Sequence, residues 1–399
     1  MLKNYTKIIG LFLLLSICLI VDSNAQIAVT GETVYTMSGD EIKNGVVLIG
    51  ENGKIEAVRS AKGFTIPANY RKISAKVVTP GLIDARTVVG LNGYLNQPND
   101  QMALEASAAM QPELRAIDSY NAEERLIEWF RGFGITTMQT GHQPSALISG
   151  QMMIAKTFGK TVEDVTINPS SMISVTLGDS SIIAGGKSPG TRAKQASLLR
   201  EMLVKATSYK GEPRDLKLEM MQKVIKREIP LLINANRSQD IITAIRLAKE
   251  FNIRIVLDGA SEAHLVIPQI KEAGISVIVH PTMQRAGGET ENLTLENAAK
   301  LKQAGILIAI QSGYEGYVPK TRVVLFEAAV AVANGLSFRD ALAAITIDAA
   351  KILGIDKQVG SLEAGKDGDI ALYDGDPFEY TSHCIGAIIN GKVVSEAVR

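Results

Sequence analysis

Apolar and polar positions along the chain fall into three regimes. The first is one block: Ile8 to Val21 is almost wholly apolar and follows a stretch carrying Lys3 and Lys7. Small residues at Ser23 and Ala25 complete the pattern of a secretory signal peptide, cleaved before Gln26. The 14 residues of that block fall short of the roughly 20 that span a bilayer. Ile17 is too large for the small residue that a lipid-attachment site wants before Cys18. The second regime is short strand-like runs at both ends of the remaining chain. Val46 to Ile49 and Ile55 to Val58 flank an Asn52-Gly53 turn, and Ile385 to Ile389 meets Val393 across Asn390-Gly391. Asn-Gly between apolar runs is a hairpin signal, because both turn residues must adopt positive φ. Asp369 to Tyr373 adds another strand.

The third regime, in the centre, alternates strand and helix. Leu231 to Ile233 is a short apolar run, and Ile241 to Phe251 follows with helical spacing. Strands at 254–257, 276–279 and 306–310 then alternate with helices at 264–273, 296–304 and 320–334. This spacing predicts a parallel sheet covered by helices. Over the 280 residues from 80 to 359, a (β/α)8 TIM barrel fits better than an open doubly wound sheet. No dinucleotide-binding glycine pattern stands at a strand–helix junction. The expected organisation is therefore a signal peptide at 1–25, a composite β-sandwich domain from 26–79 and 360–399, and a barrel at 80–359.

Composition narrows the chemistry. There are 42 basic and 42 acidic residues in 399, and removal of the first 25 leaves 40 and 41. That balance lacks the basic surplus of a nucleic-acid binder. After the same removal Cys384 is the one cysteine left, so no internal disulfide is expected and a buried inert thiol is the reading. Four histidines limit any histidine-rich metal site to near-complete convergence. Gly186-Lys187-Ser188 is a fragment of a phosphate loop, but Ser181 stands where the pattern needs glycine. No G-x-S-x-G elbow is present. The methionine pairs at 152–153 and 220–221 read as packing.

The segment Thr79-Pro80-Gly81-Leu82-Ile83-Asp84 resembles the opening of the barrel in the amidohydrolase superfamily, where PGLID is followed by H-x-H. Val359 to Phe378 and Ile388 to Val394 resemble its closing β segment. Ile148-Ser149-Gly150-Gln151 and Pro189-Gly190-Thr191-Arg192 are similar to the imidazolonepropionase-like group of secreted members. The resemblance implies hydrolysis of non-peptide carbon–nitrogen bonds. It also implies one or two divalent metal ions that acidify a bound water and polarise the scissile carbonyl. The family's ligands, mostly imidazoles and carboxylates, would fall on Arg86, Val88, Ser174, Asn234, Gly259 and Gly313. None of these is a usual metal ligand, and Arg86 is a permanent cation. No metal or other cofactor is therefore expected, and Arg86 is expected to fill the vacated space.

Barrel active sites lie at the C-terminal ends of the strands. The candidates there are Arg86, Asn234, Asn236 and Gln311 as ligand-binding groups, with Arg192 at a helix N-terminus as a possible anion contact. Asp258, His280 and His142 are the candidates for a rebuilt acid–base or metal site. Asp84 reads as a loop support, His264 as structural and His383 as a surface residue. The expected function is an exported, periplasmic amidohydrolase-like protein of impaired catalysis, acting as a ligand-binding or partner subunit. The alternative is an active hydrolase of cyclic amides or related C–N bonds on the rebuilt site. A third reading is a scaffold whose cleft takes no ligand. Expected partners are a small molecule and either a second copy or an intact relative, with no nucleic acid and no membrane span after cleavage.

Overall fold

The computed structural model describes residues 26–183, 185, 188–280, 285–314 and 323–396. The signal-peptide reading at 1–25 and Gly186-Lys187 of the phosphate-loop fragment lie outside these residues. Both chain ends build one sheet. Strands β1 (Ile27–Val34), β2 (Ile42–Ile49), β3 (Ile55–Ser60) and β4 (Arg71–Pro80) come from the N-terminal side. After them along the chain come β5 (Leu82–Thr87), β6 (Ile135–Thr140), β7 (Ile148–Gln151), β8 (Met153–Lys156) and β9 (Thr166–Asn168). Next are β10 (Ile173–Thr176), β11 (Leu231–Asn234), β12 (Ile255–Gly259), β13 (Val277–Val279) and β14 (Ile308–Ile310). The last three are β15 (Ile370–Tyr373), β16 (Cys384–Ile389) and β17 (Lys392–Glu396).

The terminal sheet has seven strands in the order β17-β16-β15-β4-β1-β2-β3. Both hairpins are present, but at the first only Gly53 of the Asn52-Gly53 pair takes positive φ, 74°. At the second, Asn390 and Gly391 both take positive φ, 50° and 73°, as a tight turn between twisted strands requires. The expected β-sandwich is one continuous ladder of seven strands, because β4 pairs with both β1 and β15 and so joins the two halves edge to edge.

The central strands form a six-stranded sheet, β14-β13-β12-β11-β10-β7, and a four-stranded one, β5-β6-β8-β9. From β10 to β14 every pair is parallel, and helices such as Ser238–Phe251 and Asn297–Gln303 connect the strands. The architecture is mixed α/β. Among the described residues the ladders do not join into a closed barrel. Three antiparallel pairings, β7 on β10, β8 on β6 and β9 on β8, interrupt the expected simple alternation.

The parallel strands β11 to β14 are apolar on both faces, as strands buried on both sides must be. Leu231 and Ile233, Ile255 and Leu257, and Val277 and Val279 pack outward in the large cluster shared with the helices. The alternating residues Leu232, Val256, Ile278 and Ala309 pack inward, in one cluster with Ile83, Ala85 and Ile154 of the other sheet. The two sheets thus share an interior although their ladders stay open. Two residues beyond that inner layer, on the same face, stand Asn234, Asp258, His280 and Gln311.

Helix boundaries differ from expectation where local chemistry intervenes. The helix expected at 264–273 is a 3-10 turn, Ala263–Leu265, followed by the helix Ile267–Ala273. Pro268 has no N–H to continue an earlier turn and sits in the first turn of the second element. Of the helix expected at 320–334, residues 320–322 lie outside the described range and Val324–Ala333 is helical. Among the described residues no helix is long and apolar enough to cross a membrane.

A buried charge cluster ties the terminal sheet to the four-stranded one. Lys156 on β8 donates to Asp367 at 2.8 Å and also to Asp369. Lys54 donates to Asp367 from the other side at 2.5 Å, Gln358 adds a bond of 2.9 Å, and Asp369 accepts from the Asn390 N–H. Burial alone would raise the Asp367 carboxyl. The charge of Lys156 and the bonds from Lys156, Lys54 and Gln358 outweigh it and hold the group below its ordinary value.

Replacing Lys156 by Met leaves carboxylates buried with too few partners and is expected to cost about 3–5 kcal/mol in urea denaturation. Asp367 stabilises the fold fully above its unfolded pKa of about 4, and that contribution is lost as pH falls further. The Lys156→Met variant should therefore show a shallower acid destabilisation than wild type. A loss below about 1 kcal/mol, within the range of an exposed pair, would contradict this role.

Candidate functional site at the strand ends

Arg86 is the largest of the fully buried side chains, with no accessible surface. It follows Asp84 on β5, where the register shifts between Asp84 and Thr87 and turns the residue into the shared interior. Its Nη2 donates to the His142 carbonyl at 2.8 Å and to the Ser174 hydroxyl at 3.1 Å, and its Nη1 meets the Met152 sulfur. Its Nε lies 3.6 Å from the Asp258 carboxylate, and the guanidinium carbon sits 6.0 Å from the Tyr314 ring centre. Burial pulls the guanidinium below its ordinary value, against the opposing influence of Asp258 and Tyr314.

Asp258 gathers the neighbouring amides. It accepts from Gln311 Nε2 at 2.7 Å and from Asn234 Nδ2 at 3.2 Å. Asn234 also reaches the Tyr314 hydroxyl at 3.5 Å, and Tyr314 meets His280 edge to face at 6.0 Å. Asn236 accepts from the Ser261 hydroxyl at 2.9 Å. Gly259 stands between the two asparagines with φ of 77°, and a Cβ there would lie 2.7 Å from Asn236 Oδ1 and 3.0 Å from Asn234 Nδ2. Only glycine fits that backbone and that space without displacing one of the amides.

Asp84 is fully buried beneath this cluster. It accepts from the Ser312 N–H at 3.1 Å, from the Arg86 N–H at 3.2 Å and from the Ser312 hydroxyl. Burial pushes its carboxyl up to about 7, against these hydrogen bonds and with Glu327 adding to the rise. The expected loop-supporting role of Asp84 corresponds to these contacts, which hold the ends of β5 and β14 together.

The structure brings Arg86, Asn234, Asp258 and Gln311 into one network, with His280 beside it through Tyr314. His142 enters through its carbonyl and not its ring. Burial, followed by the nearby Arg86 charge, pushes the imidazole down to about 4, so it is neutral near pH 7. Arg192 stands apart. Its guanidinium meets Asp240 at 2.9 Å, Asp179 at 2.8 Å and Glu289 at 3.6 Å. Burial acts to lower its pKa, but its bonds to Asp240 and Asp179 prevail and raise it. Carboxylates from three separate segments thus occupy the arginine expected to meet an anionic ligand. Among the described residues no group of three or more His, Cys, Asp or Glu side chains is placed to hold a metal ion.

Other expectations resolve simply. Cys384 is half-buried, and burial pushes its thiol up to about 11, away from nucleophilic chemistry. His383 is exposed and pairs with Asp374 at 3.3 Å. Met152, Met153 and Met221 are core residues, and Met152 also supplies the sulfur that meets Arg86. Sequence reasoning missed Ser312 and Tyr314. Both sit within three residues of Gln311, past the strand end, and position alone would have brought them in.

Residues 211–394 match the family model described as "Amidohydrolase family". The chain is similar to an imidazolonepropionase of Geobacillus sp. (strain WCH70), 23% identical over 407 residues that cover 90% of this chain and 92% of that protein. Among solved structures it is similar to an amidohydrolase from Thermotoga maritima MSB8, with a TM-score of 0.87 and 27% identity over 93% of this chain and all of that one. An adenosine deaminase from Xanthomonas campestris with bound zinc shares the fold at a TM-score of 0.56 and 16% identity, over 93% of each chain.

Two outcomes follow from this geometry. Arg86→Met leaves the Asp258 charge buried and uncompensated, and is expected to lower stability by about 3–5 kcal/mol. Adding Asp258→Asn should restore part of that loss, and a strictly additive double variant would show that the two groups do not interact. Separately, the raised Asp84 pKa means that the native state keeps a proton that the unfolded chain releases near pH 4. Its favourable contribution is fully present below about pH 4 and lost as pH rises through about 7. The stability difference between wild type and Asp84→Asn should therefore shift against wild type by on the order of a few kcal/mol across that window. A difference that stays flat would mean that Asp84 titrates as an ordinary carboxyl.

Proposed function

We propose, from the amidohydrolase superfamily that the family model and the solved neighbours support, that this chain is an exported member that binds a small ligand or a partner chain and does not carry out metal-dependent hydrolysis. The observation that carries the reading is the buried Arg86. Of the other positions where the resemblance would put metal ligands, 174 and 313 contact its side chain and its carbonyl, and 234 and 259 adjoin its partner Asp258. Ser174 accepts from its guanidinium, and the Gly313 N–H approaches its carbonyl at 3.4 Å. Asn234 is bound to its partner Asp258, and Gly259 is the next residue.

The donor set at these positions does not fit a divalent cation. A hydroxyl, an amide and two glycines are weak replacements for imidazole and carboxylate ligands. The guanidinium cannot be deprotonated to make room for a metal ion. At about 5 Å and an effective dielectric near 20, a divalent ion beside it would be repelled by on the order of 6 kcal/mol. Val88, the remaining position, is buried in the apolar core.

The same alignment supports reading the two central sheets as parts of a (β/α)8 barrel. They share one inner apolar layer, and the Gly313–Arg86 contact spans the gap between β14 and β5. An active hydrolase rebuilt on Asp258, His280 and His142 draws less support. Asp258 is held by Arg86 and two amides, and His142 faces the cluster with its carbonyl.

Elemental analysis of the purified full chain tests the central point. We expect substoichiometric zinc and a melting temperature that a chelator leaves unchanged. Cyclic amides, imidazolones and dipeptides are the ligands to screen by thermal shift, because a native-state ligand raises the melting temperature. Stoichiometric zinc, or a chelator-sensitive hydrolysis of any of these compounds, would sink the proposal.

A further inference from the structure

A concavity lies at the opposite end of the parallel strands, away from Arg86. It has a volume of about 820 Å³, and its wall includes Pro230, Arg254 and Ser276, the residues that lead into β11, β12 and β13. That volume falls within the usual range for small-molecule sites.

Its chemistry is two-sided. The helix Ser238–Phe251 turns Ile242, Ile245, Arg246 and Lys249 toward it at helical spacing. Ile242, Ile245 and Ile352 are half-buried, so their apolar surface is reachable, whereas Arg246 and Lys249 are exposed at the rim. Four cations line the cavity, Arg227, Arg246, Lys249 and Arg254, against one acid, Glu272. Two of the four have a structural use. Arg227 donates to the Asn252 carbonyl at 2.8 Å, and Arg254 to the Glu228 carbonyl at 2.7 Å, which ties the two turns together. Among the described residues the side chains of Arg246 and Lys249 have no ion-pair or hydrogen-bond partner.

Cations near a helix C-terminus also complement its dipole. That explains Lys249 in the last turn but neither the reachable isoleucine floor nor Arg246 one turn earlier. No aromatic side chain lines the cavity, so nothing there would stack a base or a sugar ring. We propose that this groove binds a soluble aliphatic carboxylate of medium chain length. Its tail lies on the isoleucine floor and its carboxylate between Arg246 and Lys249. The site is independent of the Arg86 cluster and of the function proposed for it.

Calorimetric titration of the full chain with decanoate tests the assignment, with acetate and decanol as probes of head and tail alone. Decanoate should bind, and each partial probe should bind at least about tenfold more weakly, because each lacks one half of the interaction. Arg246→Gln with Lys249→Gln should weaken decanoate about tenfold or more while moving the ligand-free melting temperature by no more than a few degrees, since both residues are exposed and Lys249 adds only a modest dipole contribution. Ile245→Asn, a change in the floor, should weaken it with the cations intact. Decanoate affinity that is unchanged in the double variant, decanol binding as tightly as decanoate, or binding only to anionic lipid vesicles would each overturn the proposal.

Discussion

One ion pair organises the strand ends. A guanidinium without access to water pays a desolvation cost of several kcal/mol, which partners at good geometry must offset. Arg86 draws those partners from segments far apart in sequence: the carbonyl after β6, the hydroxyl on β10 and the carboxylate on β12. Asp258 extends the same demand to β11 and to the end of β14 through Asn234 and Gln311. Each of these residues is needed where it stands because a buried charge nearby would otherwise be unsatisfied. The network fixes the ends of the strands relative to one another although their backbone ladders stay open.

Much of this was legible because it is local. Hairpins announced themselves through Asn-Gly, and the ends of the short apolar runs placed Asp258 and Gln311, whereas Arg86 and Asn234 stood out because the family resemblance puts metal ligands at their positions. What stayed hidden is pairing at a distance. Nothing in the segments 148–151, 153–156 and 166–168 says that they lie antiparallel beside β10, β6 and β8, because a strand of three or four residues fits either neighbour direction. Arg192 failed as an anion contact for the same reason. Its partners Asp179, Asp240 and Glu289 come from three separate segments, and no local pattern brings them together.

The Lys156 cluster works by the same physics at another seam. There a buried cation of the four-stranded sheet binds two carboxylates just before β15, so terminal and central sheets are joined by charge as well as by the chain itself. The two clusters differ in what they leave open. Lys156 sits directly on both carboxylates, with Lys54, Gln358 and Asn390 completing their bonds. Arg86 has its Nε at 3.6 Å from Asp258, beyond a good hydrogen bond, so that nitrogen has no close acceptor.

That looseness is not confined to Arg86. Gln311 Oε1 is also buried without a hydrogen-bond partner, on the same side chain whose nitrogen holds Asp258. A donor and an acceptor therefore remain unsatisfied on two side chains that share one carboxylate. Asp84 below them is neutral through part of the pH range, so it adds less negative charge to the cluster than its residue type implies. The positive charge of Arg86 is then offset chiefly by Asp258. Both open atoms are shut off from solvent, in a site whose charges already balance. A divalent ion could not accept from the Arg86 Nε–H, and it would upset that balance.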